Sequence, residues 1–347
     1  MTFENIYNLS EDELYKLIRE LEVTTVKQIE QKYDRFSFSV VYLPFIYAYL
    51  KNTAETLRAL NAIERKALQK HIIDKVLNDV RVLTSNSIGV GYKVGEVLSY
   101  SRLKKRVPET ILKEKFKWSS QNEIQKYVGR RIHGLTLSQR VWNLQAGMIE
   151  QIEATLQLGI LEGRSANDIA HDLKKYLKDP DKLFRRVRDE KGNLKLSKNA
   201  SNYHPGQGVY RSSFKNARRL AANEINKSYR YAQWETWQNL DFVVGQEIRR
   251  SNHVYDCDVC ESLKGRYPKD FKFSGFHVQC RCYVIPILST QKELLDSIND
   301  DSPVRSKNEI KSFPGNFHKW VEDNKQRYKQ GSIDWIDENP KVKKMFK

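Results

Sequence analysis

All four cysteines of this 347-residue chain fall between residues 257 and 282, in two tight pairs: Cys257-Asp258-Val259-Cys260 and Cys280-Arg281-Cys282. His277 stands three residues ahead of the second pair. Thiolates are soft ligands whose tetrahedral clusters suit Zn²⁺, and a C-x₂-C pair on a turn supplies two corners that a distant pair can close. The spacing therefore predicts a structural zinc site built from Cys257, Cys260, His277, Cys280 and Cys282. His277 competes with Cys280 or Cys282 for the fourth position, since a C-x-C pair chelates one ion with more strain than C-x₂-C. The sequence leaves Cys₄ and Cys₃His both open.

Two disulfides, or four reduced thiols packed in a core, would account for the same cysteine count. A closed four-ligand site serves stability and not catalysis, because catalytic zinc keeps one position open. The loop between the pairs, with Gly265, Pro268, Asp270, Ser274 and Gly275, has turn composition and reads as too poor in apolar residues to fold alone.

The chain is long enough for two or three domains. No apolar run approaches membrane-spanning length, and Met1-Thr2-Phe3-Glu4-Asn5 lacks the layout of a secretory signal. Synthesis and folding in a cytosol are expected, where reducing conditions favour metal over disulfide. The formal charge of +17 and pI near 9.5 imply an anionic partner, with nucleic acid the first candidate.

That charge is uneven. Residues 1–50 hold five Lys or Arg against eight acids, so the basic excess lies downstream. Arg185, Arg186, Arg188, Lys191, Lys195 and Lys198 cluster around the turn Lys191-Gly192-Asn193, and Arg211, Lys215, Arg218 and Arg219 follow at helical spacing. Such a run is either a solvated face or a phosphate-binding surface.

Apolar periodicity predicts helices over the first two-thirds. Ser10 with Glu13 is a capping-box pattern opening a short amphipathic helix through Leu14, Leu17, Ile18 and Leu21. A long helix is predicted at roughly 45–85, and Gly89, Gly91 and Gly95 then read as a flexible connection, not as a dinucleotide loop. Pro108 marks a break, Trp118-Ser119-Ser120 opens a further helix, and another runs from Ser138 to Glu162, ended by Gly163. Ser165 with Asp168 caps a helix that buries Ile169, Leu173 and Leu177, closed by Asp179-Pro180. A β-hairpin through Val187 and Leu194 and a loop containing His204-Pro205-Gly206 lead to a helix at about 211–239, striped with Ala217, Ala221, Ile225, Ser228 and Ala232. Strand is predicted at Phe242-Val243-Val244 and Glu247-Ile248-Arg249 ahead of the cysteine loop and at Tyr283–Ile287 after it. The fold class is α+β: a mostly helical N-terminal region followed by a small α+β module with a Cys/His zinc-type loop.

Asn223-Glu224-x-Asn226 on the long helix, Cys257-x₂-Cys260, Lys264-Gly265, and His277-x₂-Cys280-Arg281-Cys282 before an apolar strand together resemble the phage head morphogenesis family typified by the Mu F protein. The resemblance covers roughly residues 135–290 and divides the chain into a helical region at 1–134, the head-morphogenesis module at 135–290, and a short helical tail at 291–347. Two positions depart from the family pattern: Val278 stands where proline is usual, and Ala222 where an arginine commonly precedes the helix glutamate. The resemblance implies a minor head protein of a tailed bacteriophage or prophage, acting beside the portal in procapsid assembly and in DNA packaging or ejection. Its implied partners are the portal protein, capsid and scaffold proteins, and double-stranded DNA bound without sequence readout; its implied location is the bacterial host cytoplasm and then the virion. Membrane partners are not expected.

A zinc-scaffolded nuclease of a mobile element, with Glu224 as base and His253 or His277 as partner, and a general zinc-containing nucleic-acid binder are the competing classes. No second His or carboxylate cluster has the spacing a phosphodiesterase needs. Glu224 reads instead as a hydrogen-bond acceptor from helix to loop, and the chain as a non-enzyme. Beyond the module, 316–330 reads as a helix with Phe317, Trp320 and Val321 on one side, and Trp335 with Ile336 as a last anchor, serving either as a docking tail or as packing onto the module.

Overall fold

The structure, a computed structural model, describes residues 6–41, 43, 62–161, 164–178, 187–188, 194–195, 212–251, 257–328 and 334–346. Its chain order is α1 (Glu11–Val41), α2 (Ala62–Ile72), a π-turn (Ile73–Leu77), α3 (Asn78–Lys104), α4 (Glu109–Lys115), α5 (Gln121–Val128), α6 (Leu137–Trp142), α7 (Leu144–Leu161) and α8 (Ala166–Lys178). It continues with β1 (Val187–Arg188), β2 (Leu194–Lys195), α9 (Ser213–Gln238), β3 (Val243–Arg249), α10 (Asp258–Leu263), β4 (Gly265–Tyr267), β5 (Tyr283–Leu288), α11 (Gln291–Asn299), α12 (Gly315–Tyr328), α13 (Asp334–Asp337) and α14 (Pro340–Met345). Helices with one three-stranded sheet make this an α+β protein.

Residues fall into two compact units: 1–22, 86–134 and 222–347 form one, and 23–85 with 135–221 the other. The boundaries fall inside α1, α3 and α9 and at Gly134/Leu135. None of the helices among the described residues is long and apolar enough to cross a membrane.

In the unit built on 23–85 and 135–221, α8 starts as its sequence dictates. Ser165 Oγ accepts from the Asp168 amide at 3.2 Å and Ile169, Leu173 and Leu177 are buried. α8 packs against α7, whose Met148, Ile152 and Leu156 are buried, as are Val76 and Val80 in and just after the π-turn. The expected single helix at 138–162 is two, α6 and α7, interrupted at Asn143. Thr136 caps α6 through a complete capping box with Gln139. β1 and β2 form the expected antiparallel hairpin, with Arg188 opposite Leu194. Gly163, Asp179-Pro180 and the His204 loop lie outside the described residues, as does 45–61 of the helix expected at 45–85.

In the unit containing the cysteines, the Ser10–Glu13 capping box is formed, with Ser10 N–H donating to Glu13 Oε2 at 2.8 Å. The helix it opens is not short: α1 spans 31 residues, because the buried stripe of Leu14 and Ile18 runs on through the polar Glu22 and then through Thr25 and Ile29, which belong to the other unit. The larger correction concerns the glycines. Gly89, Gly91 and Gly95 lie inside α3, and no flexible connection exists there. A Cβ at Gly95 would stand 2.7 Å from Tyr229 Cα, and one at Gly91 would stand 3.2 Å from the Ile225 carbonyl and collide with Ser228. The missing side chains let α3 pack directly on the small-residue stripe of α9, whose Ile225, Ser228 and Ala232 are fully buried. Close packing repays the helix propensity of about 1 kcal/mol that each glycine forgoes.

β3 is the centre of the sheet, in the order β4-β3-β5, antiparallel throughout. Gln246 stands opposite Tyr267 and Pro286, and a bulge lies between Val243 and Gly245. β4 was not anticipated, nor was the aromatic content of the loop that follows it. Tyr267, Phe271, Phe273 and Phe276 are all buried, and Tyr267 stacks on Phe271 at 4.5 Å between centroids. A loop read as too apolar-poor to fold places four rings in the core, each contributing about 1.5–3 kcal/mol of burial. Phe317, Trp320 and Val321 of α12 and Trp335 and Ile336 of α13 belong to the same core. The tail segment thus packs onto the module through the residues singled out for it.

Candidate metal centre

Cys257 immediately precedes α10, and Cys260 lies in its first turn, so one short helix presents both sulfurs. Past β4, the chain reverses through Gly275 (φ 106°) and Gln279 (φ 59°), and the Cys280 amide closes a turn onto the His277 carbonyl at 3.1 Å. A Cβ at Gly275 would stand 2.8 Å from Arg230 Nη1, so both its conformation and its space require glycine here.

The donor atoms converge. Cys257, Cys260 and His277 form one group and Cys260, Cys280 and Cys282 a second, each with its ligand atoms within 4.8 Å of one another. His277 Nε2 lies 3.2 Å from Cys257 Sγ and 3.1 Å from Cys260 Sγ, and the Cys260 and Cys280 sulfurs are 3.7 Å apart. All four thiols are unbridged. A tetrahedral ion with Zn–S bonds of about 2.3 Å separates its sulfurs by about 3.8 Å, close to the Cys260–Cys280 spacing. His277 Nδ1 donates to the Val278 carbonyl at 2.8 Å, which leaves Nε2 as the nitrogen facing the sulfurs, with a lone pair there once the imidazole gives up its second proton. The donor set therefore fits a soft divalent ion, and the histidine sides with the Cys257–Cys260 pair.

Protons occupy the cluster in a defined pattern. Hydrogen bonds from the Cys260 and Cys282 thiols hold the Cys280 thiol well below its ordinary value, against the effect of burial. The hydrogen bond to Cys280 pushes the His277 imidazole up to about 9. An incoming cation displaces these protons.

Arg230 of α9, which sequence reasoning missed, holds the loop in place. Its guanidinium is buried and donates to three main-chain carbonyls: Ser274 at 3.3 Å, Cys282 at 3.0 Å, and Cys280. The only available signal was an arginine beside the buried stripe of α9. Gln246 of β3 donates to the carbonyls of Pro268 (3.1 Å) and Phe271, Trp335 Nε1 to that of Phe276 (3.0 Å), and Asn339 pairs with both main-chain groups of Lys272.

The Asn223-Glu224-x-Asn226 segment meets the cysteine loop. Asn223 Oδ1 accepts from the Gln279 amide at 3.4 Å. Asn226 Nδ2 donates to Glu22 Oε1 at 2.5 Å, and the same oxygen accepts from Arg281 Nη1 at 2.7 Å. Glu224 is fully buried and accepts from Arg130 Nη2 at 2.8 Å; the Arg130 guanidinium lies 3.7 Å over the Tyr127 ring. His253 lies outside the described residues.

Of the basic residues, Arg188 and Lys195 lie on the hairpin strands, and Lys215, Arg218 and Arg219 on the first turns of α9, where Ser212 Oγ accepts from the Lys215 amide at 3.1 Å. Arg218 is exposed, its guanidinium 5.6 Å from the Phe214 ring centroid. Arg185, Arg186, Lys191, Lys198 and Arg211 lie outside the described residues.

Fold and site together define an α+β protein with a Cys/His cluster of metal-ligand spacing. Compared with protein-family models, curated proteins and solved structures, the chain finds no match.

Proposed function

We propose that this chain is a minor head protein of a tailed bacteriophage or prophage, acting beside the portal in head morphogenesis, with a structural zinc ion stapling its cysteine loop. The observation that carries the reading is the meeting of the two halves of the sequence pattern: Asn223 and Asn226 reach the Cys280-Arg281-Cys282 turn through Gln279 and Glu22.

Cys257, Cys260 and His277 are assigned as three of the ligands, because His277 Nε2 faces the first pair. Cys280 or Cys282, grouped with Cys260 on its other side, supplies the fourth. When bound, the ion supplies cross-linking and no reactive position. Portal, capsid and scaffold proteins are the partners, and Lys215, Arg218 and Arg219 contribute to contact with packaged duplex DNA through phosphate attraction. The chain is a non-enzyme on this reading, located in the host cytoplasm during assembly and then in the virion.

The test is co-expression with the portal and capsid proteins of the same genetic element. The chain should sediment with procapsids in few copies, carrying about one zinc. Cys257→Ser should lose the zinc, and whichever of Cys280→Ser and Cys282→Ser loses it identifies the fourth ligand. Procapsids of normal composition that exclude the chain would refute the assembly role, and a metal-free wild type would refute the staple.

A further inference from the structure

A second site lies away from the cysteine cluster, in a cleft of about 730 Å³ between α1, the C-terminal turn of α3 and strand β5. That volume is in the range of small-molecule sites. Six cationic side chains line it, Lys16, Arg19, Arg102, Lys105, Arg106 and Arg281, against the carboxylates of Glu11 and Asp12. Pairing does not cancel the excess. Glu11 is shared by Arg102 (3.0 Å) and Lys105 (2.9 Å), Glu22 holds Arg281, and Glu20 stands 3.9 Å from Lys16. Arg19 and Arg106 are exposed and have no ion-pair partner among the described residues.

The other wall is aromatic. Tyr15, Tyr229 and Tyr283 line the cleft, Tyr15 lying edge-on to both others at 6.2 Å between centroids. Arg102, itself buried, donates to Tyr15 Oη at 2.7 Å and fixes that ring before any ligand arrives. Guanidinium forks match phosphate oxygens, and tyrosine faces take a flat heterocycle by stacking. A duplex cannot satisfy both walls, since its bases are stacked within it and cannot reach a concave tyrosine corner.

We infer that this cleft binds a nucleotide, its phosphate held by Arg19 and Arg106 and its base laid against Tyr283. The ligand is either a free mononucleotide or the unpaired end of a strand; both present the same phosphate and ring. The inference does not depend on the head-protein reading or on the basic residues assigned above to duplex contact.

Calorimetric titration of the full chain with deoxyadenosine monophosphate, a 5′-phosphorylated oligothymidylate and inorganic phosphate tests it. The mononucleotide should bind at about 1 mM or tighter and at least about tenfold more tightly than inorganic phosphate. R19E/R106E, which changes only exposed side chains, should weaken it about tenfold or more with an unchanged melting curve. Y283A should reduce nucleotide affinity toward that of inorganic phosphate while leaving phosphate affinity in place. Binding of the oligothymidylate alone, lost in R19E/R106E, would identify the ligand as a strand end and uphold the site. Absence of binding by all three, equal affinity for inorganic phosphate and nucleotide, or full affinity in R19E/R106E would overturn it.

Discussion

Replacing Arg230 by methionine isolates what the buried guanidinium does. Methionine keeps the long stem and removes the charge, so packing against Tyr229 and Phe273 is largely retained while three donations to the carbonyls of Ser274, Cys280 and Cys282 vanish. Hydrogen bonds from a charged donor are worth about 1.5–3 kcal/mol each, which gives a gross loss of about 4–9 kcal/mol. Part of this is recovered, because the wild-type guanidinium is buried at a desolvation cost of several kcal/mol. The net expectation is about 3–5 kcal/mol, in the range measured when one partner of a buried charged network is removed. The assay is urea unfolding of wild type and R230M at fixed zinc concentration, compared at equal m-values. On the zinc reading proposed above, affinity for the ion should also fall about 10–100-fold, because the same carbonyls shape the His277–Cys282 turn that would orient its ligands. A loss below about 1 kcal/mol, with zinc affinity unchanged, would show that the loop holds its shape without Arg230 and refute the reasoning.

Two further substitutions test separate contacts. Gly95→Ala should destabilise by about 1–3 kcal/mol although alanine is the better helix former, because its Cβ would stand 2.7 Å from Tyr229 Cα; a raised melting temperature would contradict the close approach. Glu293 accepts from Ser306 Oγ (2.7 Å) and from the amides of Thr290 (2.8 Å) and Lys307 (3.1 Å), which hold its carboxyl at about 2 against an ordinary 4.5. The stability this confers is present above pH 4.5 and lost as pH falls through about 2, so Glu293→Gln should flatten the acid limb of the unfolding midpoint over that window. Parallel acid limbs in the two proteins would sink this account.

Elements whose cause is local were legible in the sequence. The capping box at Ser10 and the Ser165 cap act through side chains three residues from their targets, and the periodicity of Ile169, Leu173 and Leu177 marks the buried face of α8 directly. The cysteine spacing likewise predicted a convergent cluster. Gly91 and Gly95 were misread because the reason for them is another helix more than a hundred residues away, whose Tyr229 backbone leaves no room for a side chain. Arg230, Glu22 and Asn339 were missed for the same reason, since their partners in the loop lie far along the chain. The aromatic run from Tyr267 to Phe276 was visible, but the turn residues around it suggested a surface loop.

The distance in sequence between the parts of this loop sets an order of events in the life of the protein. Residues 257–282 carry every thiol of the chain, yet the loop between the pairs is held by Glu22, Asn223 and Arg230 on one side in sequence and by Trp335 and Asn339 on the other. During synthesis the cysteines emerge from the ribosome more than fifty residues before Trp335 and Asn339 do. For that interval the nascent thiols lack their final enclosure, and a fragment covering only 135–290 would keep them in that condition permanently. Full enclosure of the four thiols is therefore a late step, and they are most exposed to oxidation while translation is still under way.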